Sequence, residues 1–140
     1  MGLFSVFKKS SNLYFPGCVT YFKFRDNFEL YKKIFEKLDI EFKVIDKNIC
    51  CGLPAFEAGY DNESRKLARR NHEIFKEEQI TTIMTNAPCC YKMFLIDYPK
   101  ILPDWNVSVK SIWNIIFDKL ENNPGFIRNK VKETAVYNDS

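Results

Sequence analysis

No apolar run in this 140-residue chain approaches the roughly 18–20 residues that a membrane span requires. The longest candidate, Met93-Phe94-Leu95-Ile96, has the length of a core segment. Charge of one sign is also lacking. Lys and Arg number 21 against 18 Asp and Glu, and a net charge of +3 is too small to mark a binder of nucleic acid or of an anionic membrane. Only five glycines are present, and Pro16-Gly17-Cys18 lacks the G-x-G-x-x-G spacing of a nucleotide loop. Residues 1–11 hold two lysines, but their apolar residues are too few and too scattered for a signal-peptide core, so they read as a flexible N-terminal segment. What the chain does have is apolar mass, 46% with 13 Phe, enough for the buried core of one domain.

It also has five cysteines, in three places: Cys18, Cys50-Cys51 and Cys89-Cys90. An odd count excludes a fully paired disulfide framework. With no secretory signal the expected compartment is reducing, where clustered thiols read as metal ligands or redox groups. Vicinal cysteines do not suit an ordinary disulfide, because adjacent Cα atoms lie about 3.8 Å apart, below the usual range.

The pattern along the chain predicts alternating strands and helices. Asn12–Phe15 is a strand ended by Pro16-Gly17. Asp26 with Glu29 predicts a capping box, followed by a stripe of Phe28, Tyr31, Ile34, Phe35 and Leu38. Residues 41–46 alternate as a second strand. A helix over about 62–79 places Leu67, Asn71, Ile74 and Phe75 on one side. Residues 80–85 are a buried strand, and Pro88 opens a helix that runs to about Tyr98, before Pro99. Val107–Val109 is a fourth strand, Ile112, Ile115, Ile116 and Leu120 stripe a last helix, and residues 133–137 begin one strand more. The expected fold is therefore α/β, a Rossmann-like open sheet of about four mostly parallel strands with helices packed on it. Each cysteine place follows a predicted strand, which brings the thiols to the C-terminal edge of the sheet, where such folds hold ligands. Helix starts there favour thiolates and an anionic cluster.

Three words in the sequence carry a resemblance: Tyr14-Phe-Pro-Gly-Cys18, Cys50-Cys-Gly52 and Thr85-Asn-Ala-Pro-Cys-Cys-Tyr91. They resemble the cysteine-rich CCG domain of heterodisulfide reductase B-subunits and of the iron–sulfur subunits of glycolate, lactate and anaerobic glycerol-3-phosphate dehydrogenases. In that pattern a single cysteine precedes a Cys-Cys-Gly word and a final Cys-x-x-Cys. Here 31 residues separate Cys18 from Cys50, and 35 separate Cys51 from position 87. Position 87, where the last word begins, is Ala87; Cys90 closes the word and Cys89 is an extra thiol. The complete motif implies five cysteines on a non-cubane [4Fe–4S] cluster. The four retained positions, Cys18, Cys50, Cys51 and Cys90, suffice for a simpler [4Fe–4S] or [2Fe–2S] cluster or for a tetrahedral zinc, with Cys89 as a further candidate ligand. The family's tandem arrangement implies a CCG-type domain over 12–133, with 134–140 opening a second.

The function implied is that of an iron–sulfur electron-transfer domain, a non-catalytic fragment or redox subunit of an oxidoreductase, resembling heterodisulfide reductase or the 2-hydroxy-acid and glycerol-3-phosphate dehydrogenases. Its partners would be a second CCG domain and a ferredoxin-type or flavin dehydrogenase subunit. The location implied is cytoplasmic, or at the inner membrane face through a partner subunit. The alternative from the residues is a zinc-binding or cluster-free interaction domain on the same cysteines. A thiol redox protein ranks last, for want of Cys-x-x-Cys after a strand. Outside the cysteines the readings are structural. His72 reads as a solvated helical residue, Trp105 and Trp113 as packing, Arg65–Arg70 as the wet face of a helix, and Phe4, Val6 and Phe7 as a frayed terminus.

Overall fold

In the computed structural model, which describes residues 10–45 and 50–138, the strands β1 (Asn12–Phe15), β2 (Thr82–Thr85) and β3 (Ser108–Ser111) form one parallel sheet in the order β1-β2-β3. The helices are α1 (Cys18–Phe22), α2 (Arg25–Lys37), α3 (Leu53–Glu57), α4 (Asp61–Glu77), α5 (Pro88–Lys92), α6 (Tyr98–Ile101) and α7 (Ile112–Asn122). Side chains alternate across the sheet as the pleat requires. Leu13, Phe15 and Ile83 enter one apolar cluster with Phe75 of α4 and Phe94, Tyr98 and Ile101. Tyr14 and Met84 enter a second cluster, with Phe28 and Phe35 of α2 and Ile112 of α7. Both faces of β1 and β2 are thus covered, the usual state of a parallel sheet, and three of the four residues in each strand are buried.

The α/β expectation holds, with three full strands among the described residues where about four were expected. Residues 41–45 make one parallel bridge, Leu13↔Lys43, on the far edge of β1. Lys43 donates its N–H to Asn12 and accepts from Tyr14, both at 2.9 Å. Its ammonium is held by the Glu78 carboxylate at 3.1 Å and by the Glu78 carbonyl. An edge segment with parallel partners on one side only has few bonds to gain, so the ladder stops there. Residues 128–138 take no regular secondary structure, and Val136 and Tyr137 are exposed; the strand expected over 133–137 is not formed within them. The flexible segment predicted over 1–11 lies mostly outside the described residues.

Two helix boundaries differ from the expectation. Asp26 lies inside the first turn of α2, and no side chain caps that helix. Glu29 is drawn instead to Arg25 at 3.7 Å and Lys32 at 3.0 Å, while the Arg25 guanidinium sits over the rings of Tyr21 and Phe28. The helix from Pro88 does not stop before Pro99. It widens to a π-turn over Met93–Asp97, the Tyr98 N–H bonds to the Met93 carbonyl, and α6 carries on to Ile101. A wide turn relieves the clash between the proline ring and the carbonyl four residues back, which in an α-helix would end it.

His72 is also corrected. It is buried, not solvated, because it falls beside Asn71 within the α4 stripe of Ser64, Ala68, Asn71 and Phe75. Its ring packs 5.3 Å from that of Trp105, with Nδ1 3.7 Å from Asp104. Burial, helped by the Lys76 charge, pulls its pKa below the ordinary histidine value, so the imidazole is neutral near pH 7. Trp105 packs as expected, stacked on Phe94 with centroids 6.2 Å apart. Trp113 is exposed and lies edge-on to Tyr31.

Phe94 joins the sheet to both helices on its side, meeting Phe15 at 4.9 Å, Phe75 at 6.0 Å and Tyr98 at 4.8 Å. Truncation by Phe94→Ala is expected to cost about 3–5 kcal/mol in urea unfolding. The exposed Leu30→Ala should stay within about 0.5 kcal/mol.

Candidate functional site

The sheet register places the loops. Phe15, Thr85 and Ser111 are successive Cα partners, so β1, β2 and β3 end at the same height. Two residues after Phe15, Gly17 opens α1 with φ 78° and ψ 157°, a region open only to glycine, and Cys18 is the first helical residue. Two residues after Thr85, Ala87 precedes α5, whose first turn carries Cys89 and Cys90. The two loops touch. A Cβ at Gly17 would lie 3.0 Å from the Ala87 Cβ and 3.4 Å from the Cys90 Sγ.

Asn86 staples these loops together. The Tyr14 hydroxyl donates to its Oδ1 at 3.0 Å, and its amide donates to the Thr20 hydroxyl of α1, also at 3.0 Å. Burial pushes the Tyr14 phenol well above its ordinary pKa and keeps it a neutral donor. The Cys50-Cys51 word is held from the other side. Asn71 of α4 donates to the Cys50 carbonyl at 2.7 Å and to the Tyr98 hydroxyl at 2.8 Å. Tyr98 in turn donates to the Cys51 carbonyl at 3.0 Å. Gly52, in the left-handed region at φ 87°, then turns the chain into α3.

The five cysteines are free thiols: Cys51 and Cys90 buried, Cys50 half-buried, Cys18 and Cys89 exposed. Cys51 and Cys90 share a hydrogen bond. Accepting it from the Cys90 thiol, with the Leu53 amide adding a second donor, outweighs burial and lowers the Cys51 pKa to about 7. The same bond, with burial behind it, raises the Cys90 pKa. Burial raises that of Cys50, the Gly52 N–H opposes it by donating to the sulfur at 3.4 Å, and Cys51 and Cys18 push it further up. Every predicted site residue therefore stands at one end of the sheet, with Cys51 against Cys90 and with Cys50 in the fields of Cys51 and Cys18. The sulfurs are gathered but not converged. Among the described residues no group of three or more His, Cys, Asp or Glu side chains stands ready to hold a metal ion. No helix among those residues is long and apolar enough to cross a membrane.

Asn71, Tyr98 and Asn86 were not marked as site residues by the sequence reading. Asn71 carried a signal, since an amide within an apolar helical stripe must find buried partners. Tyr98 carried none, because its place depends on the π-turn.

The model of the CCG cysteine-rich domain matches residues 12–95. Lactate utilization protein A of Bacillus pumilus is 30% identical over 83 residues, 57% of this chain and 34% of that protein. The D-subunit of the dihydromethanophenazine:CoB–CoM heterodisulfide reductase of Methanosarcina acetivorans is 23% identical over 136 residues, 94% of this chain and 33% of that relative. The chain thus spans about a third of the length of these curated relatives. No solved structure matches it at a significant level.

Two measurements check this geometry. Gly17→Ala combines a glycine-only backbone with contacts on Ala87 and Cys90, and should lose about 2–3 kcal/mol on denaturation. Gly52→Ala, left-handed but with its nearest neighbour at 3.6 Å, should lose only about 1 kcal/mol. In metal-free protein, thiolate ultraviolet absorption should rise in one early step with a midpoint of about pH 7, absent from Cys51→Ser. Because folding depresses this pKa, the step also marks a stability contribution that is full at high pH and lost as pH falls through about 7. A first thiolate appearing only in the ordinary thiol range would refute the Cys51–Cys90 pairing.

Proposed function

The chain belongs to the CCG cysteine-rich domain family, and on that premise we propose that it is an iron–sulfur electron-transfer domain of a multi-subunit redox complex. One observation carries the reading. Cys18 and Cys89-Cys90, far apart in sequence, follow two paired strands at the same edge of one parallel sheet, and Cys51 of the Cys50-Cys51 word lies against Cys90 there. The donor set fits a thiophilic cluster. It offers four family-position thiols, Cys18, Cys50, Cys51 and Cys90, with Cys89 as a fifth, and glycines at positions 17 and 52 that leave the backbone bare on both sides. A bound cluster would take up and pass on single electrons.

The chain's own residues serve that task in distinct ways. Cys51 is poised to ligate as a thiolate, its charge already met by the Cys90 thiol and the Leu53 amide. Cys18 and Cys89 reach solvent, where a loaded group would meet a partner or a second domain. The names of the relatives, lactate utilization and heterodisulfide reductase, support placement in an oxidoreductase assembly. A second CCG domain and a ferredoxin-type or flavin dehydrogenase subunit are the partners proposed. Substrate turnover is proposed for the assembly in which this domain passes electrons.

Anaerobic reconstitution with iron and sulfide tests the proposal. The expected product is brown, contains iron and sulfide, and bleaches on reduction. Cys90→Ala should lose the colour and Cys89→Ala should keep it. Colourless protein carrying one zinc per chain would overturn the iron–sulfur reading in favour of a structural zinc, and the reverse order of the two variants would shift the ligand register by one residue.

A further inference from the structure

Cys51 and Tyr98 are 47 positions apart in sequence, yet the hydroxyl of one donates to the carbonyl of the other in the buried interior. The π-turn explains how. Tyr98 follows Cys90 by eight residues, which in a regular α-helix would carry it about 80° past two full turns. The wide turn over Met93–Asp97 takes up about one extra residue and swings Tyr98 back toward the face that carries Cys90. The helix bearing the third cysteine word thus also bears the phenol that grips the second.

That phenol is one member of a closed network. Asn71 has two amide N–H groups, and both are used, on the Cys50 carbonyl and on the Tyr98 oxygen. Tyr98 donates its own O–H to the Cys51 carbonyl. Two consecutive peptide carbonyls of the vicinal cysteines are therefore held by two side chains that are themselves bonded. Both are almost fully buried, with Asn71 at 2% exposure and Tyr98 at 0%. The Tyr98 ring is further fixed by Phe94 at 4.8 Å and Trp105 at 4.9 Å. Burial raises the phenol's pKa, so it remains a donor at any ordinary pH. Such a chain of bonds in a low-dielectric interior is mutually reinforcing. With its carbonyls fixed, the Cys50-Cys51 segment can present one sulfur to Cys90 and the other to the Gly52 amide.

We propose that Asn71 and Tyr98 are positioning residues for the cysteine site, orienting the Cys50-Cys51 peptides so that their sulfurs face those of the other two words. This rests on the reading of the cysteines as one ligand site, but its test does not require a cluster.

Tyr98→Phe keeps the ring and removes only the hydroxyl. In metal-free reduced protein, iodoacetamide labelling resolved by mass spectrometry is expected to show Cys51 reacting about tenfold faster relative to the exposed Cys18, with Cys90 unchanged. Amide exchange at Gly52 and Leu53 should rise while that of β2 stays protected. Asn71→Ala should give the same pattern, and Tyr14→Phe, which removes the separate Asn86 staple, should not. Equal acceleration at Cys51 and Cys90 would mean general loosening, and no acceleration would mean the loop stands without the network. Either result overturns the assignment. In reconstituted protein the same variant should shift the paramagnetic spectrum of the reduced cluster. Failure of the wild-type protein to take up iron would count against the proposed function and leave the labelling result to decide the role of Tyr98.

Discussion

The parallel pairing of β1 with β2 is the constraint on which the rest of this structure depends. Parallel strands run the same way, so both must hand the chain over to a helix at the same edge. The pairing of Phe15 with Thr85 makes the two exits level, and two residues later Gly17 and Ala87 are in contact. Shifting the register by one residue would turn Leu13, Phe15 and Ile83 out of one apolar cluster and Tyr14 and Met84 out of the other. Apolar burial on both faces therefore holds the register, and the register sets where the cysteine loops stand. In this way a site made of polar and reactive groups is positioned chiefly by apolar ones.

Within that frame the thiols differ by environment. Cys51 lies where two donors meet its sulfur, and Cys90 supplies one of them, so Cys51 gives up its proton more readily than an ordinary thiol while Cys90 keeps its own. Cys50, a single peptide away, is pushed in the opposite direction by burial and by its thiol neighbours. Vicinal cysteines separate in this way because Gly52 bends the chain immediately after them, giving one sulfur the Gly52 amide and the other the Leu53 amide. The left-handed glycine thus has an electrostatic consequence as well as a steric one.

Much of this was legible in the sequence, where a local pattern was sufficient. The α4 stripe, the short β-branched run of β2 and the breaks at Pro16-Gly17 and Gly52 are local signals, and the placement of Cys18 after β1 and of Cys89-Cys90 after β2 followed from them; the Cys50-Cys51 word, expected after a strand, follows a segment whose described part makes a single bridge. What was not legible depends on partners distant in sequence. Glu29 reads as a capping residue until Arg25 and Lys32 are seen to compete for it. Residues 41–46 alternate like a strand, but alternation does not reveal that among the described residues 41–45 Lys43 alone finds a ladder partner. Pro99 normally ends a helix, and the wide turn that admits it has no one-residue signature. His72 looked solvated because charges flank it in sequence, while in space its neighbour is Trp105. The Tyr14–Asn86–Thr20 and Asn71–Tyr98 bonds join segments more than twenty residues apart, beyond any local pattern.

These bonds bear on how the site relates to folding. In small metal-dependent domains the ligand set closes the structure, and the chain unfolds without its ion. Here the three cysteine loops are already joined by groups that are not ligands. Asn86 ties the first to the third, Asn71 and Tyr98 tie the second to the helix of the third, and Gly17 against Ala87 closes the remaining gap by apolar contact. Between the first and third loops the Ala87 methyl group lies next to the bare backbone of Gly17. The joints between these loops are thus made by side-chain amides, phenols, a hydroxyl and a methyl contact, none of them a cysteine sulfur.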